Sequence, residues 1–275
     1  MSVRQALVSL GALAGLVVPS QAGTPLLTRC HYRAQADTVR VLPAMLHEIS
    51  GLAFFRGQLL AHNDELGGIY TINPATGSIG NFATLRGPIQ DDFEGIAVLG
   101  DTVWLMTSSG KLYGVKASAS TTPVAFSLQQ TGLGKRCELE GLAADASSGV
   151  LLLPCKTLPK NAKGVVVSRW NPRANAPGSP ATVTAAPKAI KQAGAPHFRP
   201  SAIEMVPGSD HLLLLSSSPP ALMELDGSGA PVGWQQLSPR HAQPEGLAIS
   251  PRGDLFISDE GGAGAATLSV YRCHP

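Results

Sequence analysis

Aromatic residues make up only 5% of this 275-residue chain, and charged residues only 15%. With so few rings, Leu, Val and Ala must fill any core. With so few charges, at a formal net charge of +2, there is no concentrated basic face of the kind that nucleic-acid binding needs. The uncharged apolar stretch Ala6–Val18 is short of the roughly 20 residues that a membrane-spanning helix requires. No GxSxG, HExxH, Walker or dinucleotide motif occurs, so the common nucleophile and cofactor signatures are missing.

The first 22 residues read as a secretory signal. Arg4 charges the start, Ala6–Val18 supplies the apolar segment, and Ser20-Gln21-Ala22 offers small residues for cleavage after Ala22. Removing Arg4 takes Lys plus Arg from 21 to 20 against 19 acids, a formal charge of +1. The expected mature protein is periplasmic or secreted, monomeric and without a membrane span.

What the chain does have is a five-residue phrase that returns five times. It reads Ile49-Ser50-Gly51-Leu52-Ala53, Phe93-Glu94-Gly95-Ile96-Ala97 and Leu139-Glu140-Gly141-Leu142-Ala143. A degraded copy follows, Pro200-Ser201-Ala202-Ile203-Glu204, and then a clean one, Pro244-Glu245-Gly246-Leu247-Ala248. The third residues of successive phrases lie 44, 46, 61 and 44 residues apart. A period near 45 is that of a propeller blade. Further apolar runs follow each phrase, as in Val103–Met106 and then Leu112–Val115, separated by Gly, Pro, Asp and Ser. Four short strands per repeat make a blade, so the expected fold is all-β, a five-bladed β-propeller over residues 39–275 with a lead-in over 23–38.

Two features bear on closure. After the last phrase there is room for only three strands, and Val39–Leu42 is the spare segment that can supply the fourth. Such a closure removes exposed sheet edges. Of the four cysteines, Cys137 precedes the innermost strand of its blade and Cys155 ends the neighbouring antiparallel strand, so their ends should meet. Cys30 and Cys273 flank the closure and are the other expected pair; the alternative is four free thiols. The 61-residue step leaves a surplus within 171–200, read either as an inter-blade excursion with a helical turn near Lys188–Gln192 or as a disordered insert.

The chemistry follows from blade geometry. Phrase starts and second-strand ends fall on one face of the ring, near its axis. They gather Ser50, Glu94, Glu140, Ser201 and Glu245 with His62-Asn63-Asp64-Glu65, Ser216–Ser218 and Ser258-Asp259-Glu260. Carboxylate, amide and hydroxyl oxygens in one place suit Ca²⁺, and packed carboxylates call for a neutralising cation. Candidate metal ligands are Glu94, Glu140, Glu245, Asn63, Asp64 and Asp259, with Ser50 or Ser201 as neutral donors. The structural alternative has each glutamate accepting from backbone amides of the next blade, Asn63-Asp64-Glu65 forming only a turn, and His62 packing rather than binding.

These stretches carry a family resemblance. Glu48–Ala53 with Ala61–Glu65, Asp91–Ala97, Pro200–Ile203 with Leu214–Ser217, and Gln243–Ala248 with Leu255–Glu260 resemble the SdiA-regulated (YjiK-like) bacterial proteins, distant relatives of NHL-repeat propellers. The resemblance spans nearly the whole mature chain and implies a five-bladed propeller with a calcium site. Thr107–Ser109 and Cys155-Lys156 depart from it, standing where a carboxylate is expected. Two functions are therefore open. One is a non-catalytic calcium-binding propeller that takes a small molecule or protein at its axial face. The other is a calcium-dependent hydrolase of lactones, esters or phosphoesters, with His62, Glu65 or Glu260 as base.

Overall fold

The computed structural model describes residues 23–118, 123–158, 164–195 and 197–275. The expected signal segment, residues 1–22, lies outside the described residues. Among those described, no helix is long and apolar enough to cross a membrane.

Five sheets form the five blades, antiparallel except where the short strand Pro123–Val124 joins the outer edge of blade 1 in parallel. Blade 1 runs through Ile49–Phe55, Gln58–Asn63, Gly68–Ile72 and Ile79–Leu85. Blade 2 uses Phe93–Leu99, Thr102–Thr107, Lys111–Lys116 and Ser127–Gln130. Blade 4 uses Pro200–Met205, Leu212–Ser217, Pro220–Leu225 and Pro231–Gln236. Blade 5 has Pro244–Ile249, Leu255–Asp259 and Thr267–Tyr271, and its outer strand is Thr38–Val41, paired with the last strand as Thr38↔Val270 through Val41↔Thr267. The ring is thus closed by the N-terminal segment, as the strand count requires.

Blade 3 is irregular. Its innermost strand is split into Glu138–Leu139 and Ala143–Asp145, both paired to Val150–Thr157, and Val165–Asn171 and Ala176–Ala185 complete the sheet. The residue surplus after this blade becomes the ten-residue strand Ala176–Ala185 and a short helix, α2 (Pro187–Gln192), that buries Ile190. Pro at the helix start suits a position whose N–H has no intrahelical partner.

Why near-continuous apolar runs form these strands is visible in the packing. In Leu212–Leu215 the even-numbered residues pack against blade 3 and the odd-numbered ones against blade 5. Each inner strand is buried on both faces, so alternation is lost. Five separate apolar clusters result, one for each pair of neighbouring blades.

Two disulfides staple the ring. Cys137–Cys155 ties the first two strands of blade 3, and Cys30–Cys273 joins the lead-in to the C-terminal segment. The lead-in helix, α1 (Leu26–Arg29), is seated by the buried Glu224 carboxylate, which accepts from Leu26 N–H (2.8 Å) and Leu27 N–H (3.0 Å).

Candidate functional site

At four phrases the second residue is skipped by the ladder. Ile49 pairs with Asn63 and Gly51 with His62, leaving Ser50 as a bulge; Glu94, Ser201 and Glu245 are skipped in the same way. A bulge re-aims the extra residue's side chain out of the alternating pattern. Glu140 falls in the break of the blade 3 inner strand, where its N–H bonds to Pro154 O. The five oxygen-bearing residues thus occupy equivalent positions on the rim of one face.

Beneath that rim the axis is closed. Leu52, Ile96, Leu142, Ile203 and Leu247, the fourth residues of the phrases, line a central cavity of about 10 Å³. That is room for about one water. Inner strands approach backbone to backbone here: a side chain added at Gly95 would stand 2.7 Å from the Leu142 nitrogen, and one at Gly141 2.7 Å from the Ala202 Cα. Glycine is required by this approach at Gly95 and Gly141, while the fourth phrase accommodates Ala202.

The acidic rim is electrostatically strained. Burial, reinforced by Asp92 and Glu245, pushes the Glu94 carboxyl up to about 8, although it accepts a bond from the Ser50 hydroxyl (2.9 Å). Burial raises Glu140 too, with repulsion from Glu245 and Glu94, and it raises Glu245. Asp64 is pushed up to about 6 by burial and by Glu48, and Glu260 to about 7 by burial and by Glu245 and Asp64. Among the described residues Lys156 opposes the charge of these glutamates, its Nζ lying 2.6 Å from Glu140 Oε1.

Glu140 and Glu245 face each other within hydrogen-bond reach. Two ionised carboxylates can only accept, so without a shared proton or a cation the contact satisfies neither. Their Oε2 atoms accordingly stand buried without a partner, as do Asp64 Oδ1 and Asp259 Oδ1. Burial keeps a proton on Glu140 that can bridge it to Glu245, and a cation in its place would answer that pair together with the oxygens of Asp64 and Asp259. The donors are all oxygen, which fits a hard cation. As they stand, however, no group of three or more His, Cys, Asp or Glu among the described residues is arranged to hold a metal ion.

The structure sorts the sequence-derived candidates. Glu94, Glu140 and Glu245 share one electrostatic cluster, and Asp259 acts on Glu245. Asp64 stands among Glu48, Glu65 and Asp92. Asn63 Oδ1 accepts from Leu66 N–H (3.0 Å), closing a turn. Ser201 Oγ donates to Pro244 O (2.7 Å), bracing blade 4 against blade 5. His62 is fully buried edge-on to Phe93, its Nδ1 2.8 Å from Asn63 O, and burial lowers its pKa to about 4.

Sequence reasoning missed His241. It is buried and bridges Asp259 Oδ2 (2.7 Å) and the Tyr271 hydroxyl (2.6 Å), fixing the Asp259 carboxylate with its other oxygen free. No repeat spacing pointed to it.

The SdiA-regulated profile matches residues 26–262, most of the described chain. The chain belongs to the SdiA-regulated family. No curated protein matches it. Among solved structures, the glutaminyl cyclase of Myxococcus xanthus is 14% identical, with a TM-score of 0.52 over 86% of this chain and 97% of that one. A luciferin-regenerating enzyme is 8% identical, with a TM-score of 0.52 over 86% and 95%. At such identities these likenesses concern the propeller fold of this SdiA-regulated protein and nothing more.

Proposed function

We propose that this SdiA-regulated protein is an exported, non-catalytic binding propeller whose axial acidic face takes a hard divalent cation, Ca²⁺, and through it recruits a small molecule or a protein. The observation that carries the reading is the set of four buried, partnerless carboxylate oxygens on Asp64, Glu140, Glu245 and Asp259. Export is supported by the two disulfides, which persist in oxidising compartments, and by the signal-like residues 1–22. Glu94 and Glu245 would hold the ion from the rim together with Glu140, and His241 would orient Asp259. When bound, calcium supplies positive charge and open coordination positions for an oxygen-bearing ligand.

The hydrolytic alternative lacks a comparable support. His62, a proposed base, is sealed between blades 1 and 2, and Glu260 is held by the Gln243 amide. The test is thermal unfolding after chelator stripping. Calcium at about 100 times its Kd adds about 2.7 kcal/mol to the folded state, so the melting temperature should rise. Glu94→Gln with Glu245→Gln should abolish the rise and leave the fold intact. An unchanged wild-type melting temperature would reduce the carboxylates to internal braces.

A further inference from the structure

Lys156 lies near the end of the second strand of blade 3, one residue past Cys155, which pairs with the start of its phrase as Asp259 does in blade 5. Its ammonium contacts Glu140 Oε1 at 2.6 Å and also acts on Glu245 and Glu94. It thus addresses the three carboxylates that a bound cation would bridge. The two partners differ in freedom. The Glu140 side chain is 3% exposed, while that of Lys156 is 30% exposed on a flexible, strongly hydrated stem. The carboxylate is fixed and the amine can swing into water.

The amine is also an incomplete answer. It leaves Glu140 Oε2 and Glu245 Oε2 without partners. A divalent ion would satisfy them, but it and the ammonium repel at the few ångströms that would separate them on one carboxylate.

We propose that Lys156 is a tethered counter-cation of the axial carboxylates, holding Glu140 while no divalent ion is bound and displaced outward when one binds, so that it sets the affinity of the face for calcium. This inference rests on the cation reading of the rim, and its test separates the two.

Calcium is titrated calorimetrically into the intact, chelator-stripped protein, comparing wild type with Lys156→Met and Lys156→Gln, each checked for folding by its melting curve. Both variants should bind calcium about tenfold or more tightly. Without calcium they should melt below wild type, and saturating calcium should close that gap, which a merely structural loss would leave open. Binding seen in the variants alone overturns both readings, since Lys156 would then fill the wild-type face and no calcium would displace it. Equal or weaker binding by the variants overturns it and leaves the cation site standing. No binding by wild type or variants overturns it and the cation reading together.

Discussion

Glu224 and Glu204 lie on the third and first strands of blade 4 and show how a carboxylate taken from water behaves with and without donors. Glu224 is fully buried yet has two backbone N–H donors and His211 Nδ1 at 2.7 Å. Truncating it to Ala leaves those donors unpaired and frees α1, so it should cost about 3 kcal/mol in chemical denaturation. Glu204 has only the Met205 N–H at 3.2 Å, and burial pushes its carboxyl up to about 8. The folded state therefore keeps a proton that the unfolded chain releases above its ordinary pKa near 4.5. Stability from this group is fully present below that value and is lost as pH rises towards 8. Glu204→Gln should remove that loss, gaining about 1–3 kcal/mol over wild type at pH 8 and little at pH 4.5. Denaturation midpoints of the two proteins across that range check it; a constant difference would contradict it.

At the level of the element, the phrase is a bulge followed by a close approach. The bulged residue reaches the axial face, the glycine lets inner strands meet, and the aliphatic after it plugs the axis. Gly95→Ala would press a methyl on backbone atoms of blade 3, for a cost of about 1–3 kcal/mol by thermal or chemical unfolding. An unchanged midpoint would mean that the inner strands separate easily. The repeat was legible in sequence because each phrase position has a single geometric task. What was not legible were contacts without a period. His241 meets Asp259 and Tyr271 from a connecting segment, and His211 meets Glu224 across neighbouring strands. Such pairs depend on which side chains the twist of a blade brings together. Lys156 was visible only as a departure, because nothing in a sequence says that its amine will reach Glu140 rather than solvent.

For the whole molecule, closure was readable from strand arithmetic: three strands after the last phrase and one spare strand before the first. The cysteine pairing followed from strand direction in blade 3 and from proximity of the termini. The 171–200 surplus was ambiguous, since its Ala- and Pro-rich composition is compatible with order or disorder; packing of Ile190 into the blade 3–blade 4 cluster decides it. The closing disulfide spans 243 residues and the blade 3 disulfide 18. Loss of either should cost about 2–4 kcal/mol, more for the terminal bond because its loop is longer. Unfolding of Cys30→Ser with Cys273→Ser beside Cys137→Ser with Cys155→Ser measures both, and a larger loss from the blade 3 pair would contradict this ranking.

The most direct measurement of the axial site is a crystal structure grown with calcium, with anomalous difference maps collected alongside. A peak above the axial plug, with Glu140 and Glu245 oxygens at about 2.3–2.6 Å and Lys156 turned away from Glu140, is the predicted result. No peak there, with Lys156 still bridging Glu140, would contradict it.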